Sequence, residues 1–266
     1  MATLAQNPVT TAPAIGDERF FLRAAIVMAL IVVAGFSFQL AMGRSTFAAP
    51  LRVHAHAIVF MGWVAIYVTQ NALAATDRIA LHRRLGWIAA GWMVAMVVLG
   101  CVATVGMVRA GHVPFFFRPL QFLAFDPIIL FTFVGLTTAA IVMRRRTEWH
   151  RRLHYCGMAI LTGPAISRLL PSPLLQPWAW EAVFLLCLIF PLVGIRADIR
   201  RSGRAHPAWR WGIAAMLVGA VLTEAITYSP LGTALYRTVT AGSPGAAIAP
   251  LVFAPPPAGP LIGGRS

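Results

Sequence analysis

Seven stretches of this chain are each close to twenty residues long and almost free of charge, at approximately 24–42, 53–76, 85–108, 122–143, 153–170, 179–195 and 209–228. A helix needs about 20 mostly apolar residues to cross a bilayer, and inside the hydrocarbon every backbone N–H and C=O must be satisfied by the protein itself. The pattern therefore predicts an all-α integral membrane bundle of about seven transmembrane helices. Composition agrees, since 59% of the 266 residues are hydrophobic and only 11% are charged, against roughly 25% charged in a soluble domain. The fifth and sixth stretches are short and contain Pro164 and Pro191, so kinks are expected in both.

All 22 basic residues are Arg, and against 8 acids they give a formal charge of +14. In a soluble protein that charge would suggest nucleic acid; in a membrane protein it is read by side of the bilayer, and no nucleic-acid partner is expected. With the N-terminus cytoplasmic, 15 arginines fall inside and 7 outside, a positive-inside bias that places the C-terminus outside. The expected layout is a polar N-terminal segment at 1–23, a transmembrane domain at 24–228 and a flexible Pro, Gly and Ala-rich tail at 229–266. The first span is too long for a signal-peptide core and reads as an uncleaved anchor. Cys101, Cys156 and Cys187 lie in separate apolar spans, against a disulfide framework or a Cys-based metal site.

One phrase occurs twice, "LHRRLG" at 81–86 and "WHRRLH" at 149–154. Both copies begin an outward-running span on the cytoplasmic side, an arrangement compatible with a weak repeat of helix pairs. The plainer reading of the arginines is snorkelling and contact with anionic lipid.

The histidines raise a chemical question. His150 and His154 are spaced i, i+4 and share a helix face, His82 occupies the matching position in the third span, and Gln70 and Asn71 lie at the same depth. Neutral imidazole is the usual axial ligand of b-type haem and a common ligand of copper, iron and zinc, so His82, His150, His154 and Gln70 are candidates for holding haem b or a transition metal. The bland alternative is interfacial histidines bonded to loops or lipid phosphate. Two imidazole nitrogens on opposite sides of one haem iron would stand about 4 Å apart, taking each bond at about 2.0 to 2.1 Å, as for zinc.

On the outer side, His54, His56 and Glu224 form a second candidate metal group. His54 and His56 are two residues apart and point in nearly opposite directions on a helix, so one is expected to be buried and the other exposed. Glu224 lies within the seventh span, where a carboxylate is costly and faces a partner or a cavity by default; His54, His56 and Arg168 are its candidate partners. Asp126 before Pro127 reads as an N-cap, Glu181 as a first-turn acid, and the eight tryptophans mostly as an interfacial belt.

Several classes are excluded. Without lysine there is no Schiff base, hence no retinal and no pyridoxal phosphate. There is no Lys-bearing phosphate loop and no His-Glu-x-x-His motif. No span carries two histidines 13 or 14 residues apart, the pattern of stacked two-haem cytochromes, so one haem at one pole is the most that fits.

The run "VHAHAIVFMGWVAIYVTQNALAATDRIALHRRLGW" resembles an uncharacterised group of bacterial polytopic membrane proteins, in which a histidine-bearing helix is followed by a His-Arg-x-Leu-Gly loop. The resemblance covers the second to fifth spans. Its boundary histidines make the group loosely similar to b-type cytochromes and haem-handling assembly factors, and it implies a multi-pass protein of the bacterial inner membrane. Three functions follow as expectations: a redox protein binding one haem or metal ion, a small proton-coupled transporter using Glu224, and a non-catalytic assembly or scaffold subunit with membrane-protein partners.

Overall fold

The computed structural model describes residues 15–45 and 47–256, and among them there are nine α-helices, two short 3-10 turns and no strand. The helices are α1 (Ile15–Ala41), α2 (Leu51–Ala75), α3 (Ile79–Ala110), α4 (Pro119–Val142), α5 (Thr147–Leu161), α6 (Gly163–Leu169), α7 (Ala179–Ser202), α8 (Ala208–Thr227) and α9 (Pro230–Thr240). Six of them, α1 to α4 with α7 and α8, are long and apolar enough to cross a membrane. Their outward faces expose large aliphatic side chains such as Leu30, Val94, Leu185 and Val221. In water such a surface would be an aggregation liability; in lipid it is the ordinary exterior. The chain is a multi-pass helical membrane protein.

The fifth apolar stretch departs from a single span. It forms α5 and α6, neither long enough alone, because Pro164 has no N–H to continue the helix past Thr162. The Thr162 hydroxyl donates back to the Ala159 carbonyl (2.6 Å) and its own carbonyl accepts from Ala165 and Ile166, which satisfies the break locally. At Pro191 the helix instead continues through, within α7.

Packing follows chain order. α1 lies on α2, α2 on α3, α3 on α4 and α4 on α5, and α5 with α6 returns to α1, closing a ring. α8 packs outside this ring on α4 and α5, with α7 beside it. Two glycines permit close approaches between helices. A Cβ on Gly35 of α1 would stand 2.5 Å from the Ala165 carbonyl oxygen of α6, and one on Gly194 of α7 would stand 2.2 Å from the indole of the fully buried Trp209.

Three expectations are corrected here. Asp126 is not an N-cap: α4 starts seven residues earlier, at Pro119, so Asp126 and Pro127 lie inside the helix. The apolar run from Leu120 carries the helix through, and Pro127 removes only one N–H from its ladder. The tail does not loosen at Ser229. α9 and the turn at Pro244–Ala247 pack onto α3 and α4, with Arg109 donating to the Val239 carbonyl and the Leu120 N–H to the Pro250 carbonyl. The signal was periodicity, since the buried Gly232, Tyr236 and Thr240 recur every four residues along one face; residues 257–266 of the expected tail lie outside the described residues. Finally, Trp63, Trp180 and Trp209 are core residues rather than belt, while Trp87, Trp178 and Trp211 are exposed. Of the polar segment at 1–23, residues 1–14 lie outside the described residues, and α1 already includes the rest.

Candidate functional site

The two repeated phrases do bring their histidines together. His82 is the fourth residue of α3 and His150 the fourth of α5, and their ring centroids are 6.1 Å apart. His154, one turn above His150, completes a triad with centroids 4.7 Å from His150. Each leading histidine is oriented the same way: its Nδ1 meets a backbone carbonyl near the end of the preceding helix. His82 Nδ1 lies 3.2 Å from the Gln70 carbonyl and His150 Nδ1 2.8 Å from the Ala140 carbonyl. A carbonyl can only accept, so Nδ1 carries the proton in both rings, and in the neutral form of each ring Nε2 keeps a bare lone pair. Metal-ligating histidines are commonly held this way.

The rest of the inner group divides. The Gln70 side chain lies beside Gly86 at the start of α3, and its Oε1 is buried without a hydrogen-bond partner. Asn71 turns back on its own helix, donating to the Tyr67 carbonyl (2.8 Å). Among the described residues, no three His, Cys, Asp or Glu side chains converge tightly enough to hold a metal ion as they stand. Ligation by the triad therefore requires the rings to turn about their side-chain torsions.

The outer candidates do not form one group. His54 meets the Phe47 carbonyl (3.1 Å) at an exposed site, whereas His56 turns inward and stacks on Phe60, centroids 4.2 Å apart. Glu224 accepts instead from Gln121 Nε2 (3.2 Å), a residue only 1% exposed, and lines a groove with Trp180, Glu181 and Phe184. No hydrogen bond or ion pair among the described residues joins Glu224 to His54, His56 or Arg168. Bundle order explains the separation, because α8 packs on α4, α5 and α7, while α2 packs on α1 and α3.

Reading the sequence missed a second inner cluster. Arg152 grips Asp198 side-on, Nε to Oδ2 and Nη2 to Oδ1, both 2.8 Å, with side-chain exposures of 5% and 2%. Trp209 Nε1 (2.7 Å) and the His206 N–H (3.3 Å) donate to the same carboxylate. Arg151 pairs with Asp17 and Glu148, Arg152 also with Glu148, and Arg201 bridges Asp17 (2.6 Å) and Asp198 (3.0 Å). The available signal was a lone acid in "GIRADIRRS", placed among arginines in a chain with so few acids. His206 lies in the loop before α8, and its Nδ1 accepts the Ala208 N–H (3.1 Å), capping that helix. Burial, helped by the nearby Arg152 charge, holds the His206 imidazole below its ordinary range.

Compared with protein-family models, with curated proteins and with solved structures, the chain matches none.

Proposed function

We propose that this chain is a seven-crossing protein of the bacterial inner membrane, N-terminus in the cytoplasm, that binds one transition-metal ion through His82, His150 and His154 in a redox role. The observation that carries the binding is the shared tautomer of His82 and His150: their Nδ1–H groups are committed to carbonyls, and Nε2 lone pairs remain on rings that already touch. Three neutral imidazoles suit copper, iron, nickel or zinc rather than magnesium or calcium, and of these copper and iron supply redox chemistry. Gln70 Oε1 is the nearby acceptor that would steady a bound water or a ring N–H. A b-type haem is the second reading, favoured by the 6.1 Å between His82 and His150. A macrocycle would have to displace His154 from its contact with His150, whereas an ion needs only ring rotation, so the ion fits the donor set better.

The seventh crossing is supported by α5 and α6 together. Arg151 meets Asp17 near one end of α1 and Ala165 meets Gly35 near the other, so the pair accompanies α1 over about 27 Å of rise. The 15 to 7 arginine division supports the orientation, and an outward reporter fused after Ser266 should be active where a cytoplasmic one is silent.

Purified protein from cells grown with metal and haem should carry about one metal ion or one Soret-absorbing group per chain, lost in His82→Ala and in His150→Ala. A colourless, metal-free preparation would overturn the redox reading in favour of a scaffold subunit whose histidines only pack.

A further inference from the structure

A line of buried polar atoms runs the length of α2. Along α2, His56, Trp63 and Gln70 are spaced i, i+7, i+14, so they lie on one face over about 21 Å of rise. Each has a buried side-chain nitrogen or oxygen with no hydrogen-bond partner among the described residues: His56 Nδ1, Trp63 Nε1 and Gln70 Oε1. Trp63 is 4% exposed. Across the ring on α4, the 1% exposed Thr137 has the same defect at Oγ1, beside Gly157 of α5. Trp63 reaches toward α4, its ring edge-on to Phe133 with centroids 4.9 Å apart. Buried polar atoms are satisfied in the great majority of cases, by protein or by ordered water, and a run of such atoms at rising depth on facing helices marks where internal water is needed.

The file runs from one side of the bundle to the other. At its inner end the Gln70 side chain lies beside Gly86 of α3 and Thr137 beside Gly157 of α5. At the outer end Asp126 of α4 accepts from Thr104 of α3 (3.0 Å), with Cys101 one turn away. Arg168 of α6 stands near enough for its charge to act on both Asp126 and His56, yet no ion pair closes with Asp126, because Arg168 donates to the Pro164 carbonyl and stacks over Phe36. A carboxylate inside a membrane helix faces a pathway by default, and among the described residues the direct partner of this one is a hydroxyl.

We propose that waters held by His56, Trp63, Gln70 and Thr137 form a proton path through the α1–α6 ring, from the end of the file at Gln70 and Thr137 to Asp126 on the outer side. A proton that enters beside Gln70 and Thr137 is passed along the waters and released by the Asp126 carboxyl at the other end. No bond other than O–H and N–H is made or broken, and no redox partner is needed, so the path does not depend on metal binding. It also differs from a carrier built on Glu224, which lies outside the ring.

The test is proton flux into vesicles containing the full chain, washed with chelator, with a trapped pH dye and a potassium diffusion potential set by valinomycin. Wild type should exceed protein-free vesicles, and Asp126→Asn should lower the flux by about tenfold or more. Trp63→Phe keeps an aromatic ring against Phe133 and removes only the indole N–H; it too should slow the flux, while the exposed Arg84→Gln should not. Each variant is read only where it elutes as wild type does, and Thr104→Val, which strips Asp126 of its hydroxyl partner, replaces any that does not. Wild-type flux no greater than protein-free vesicles, or undiminished flux in Asp126→Asn or Trp63→Phe, would overturn the proposal. The vesicles are chelator-washed, so their flux tests the path alone, and the redox reading stands or falls on the metal and Soret content of the untreated protein.

Discussion

The same four residues, His-Arg-Arg-Leu, open α3 and α5, and the two copies fare alike at the histidine and differently at the arginines. Both histidines are fourth in their helix and both anchor Nδ1 on a carbonyl near the end of the helix before. Arg83 and Arg84 are exposed, whereas Arg151 and Arg152 are drawn into a network with Asp17, Glu148 and Asp198. Part of that difference is local, since Glu148 lies one turn before Arg151 and Arg152 on α5 and α3 has Ala80 in the matching place. The rest comes from what packs there: α5 meets the acid-bearing ends of α1 and α7, and α3 has α2 and α4 as neighbours, whose ends on that side carry no acid. A motif sets how its own residues leave the backbone, and the neighbours decide whether a charge is buried or solvated.

The largest test of this contrast removes one arginine from each copy. Arg152→Ala strands the Asp198 carboxylate in the interior and should cost about 3 to 5 kcal/mol, the usual penalty for breaking a buried pair. Arg84→Ala removes an exposed side chain and should stay within about 0.5 kcal/mol. Reversible unfolding in mixed micelles compares the two, and equal costs would break the comparison. A smaller effect comes from Trp209→Phe, which keeps most of the buried ring but deletes the 2.7 Å bond to Asp198. A hydrogen bond to a charged group contributes about 1.5 to 3 kcal/mol, and that loss should shrink markedly in an Asp198→Asn background, where the acceptor has lost its charge. An undiminished loss there would show that packing against Gly194, rather than the carboxylate, sets the cost.

How far the sequence could carry the reading follows from the same distinction. Helix positions were legible because long apolar runs report directly on burial in lipid, and the depth of His82 beside His150 followed from two identical phrases at equivalent positions. What escaped depended on which helices adjoin. Glu224 was paired with the outer histidines because all three lie near outer ends, yet α8 and α2 are not neighbours, and Gln121 takes their place. Asp198 was overlooked because an acid among arginines at a helix end looks like a solvated residue until Arg152 and Trp209 close over it. The His56, Trp63 and Gln70 stripe was present as heptad spacing, but only burial reveals that its polar atoms lack partners.

The smallest effect concerns how far the α5 network reaches, and it turns on pH. His206 joins that network through its N–H to Asp198, and its Nδ1 caps α8 by accepting from Ala208. A protonated imidazole has no lone pair to accept with, so the cap exists only in the neutral form. Burial lowers the folded-state affinity for the proton, so the unfolded chain binds more protons and stability rises with pH. The contribution is therefore complete above the unfolded value of about 6.5 and is lost as pH falls from there through the lower folded value. His206→Ala should cost about 1 kcal/mol at pH 8, the worth of a helix cap, and should flatten the decline in stability between pH 7 and pH 5. If the decline is as steep in His206→Ala as in the wild type, the α8 cap contributes none of it and the network ends at Asp198.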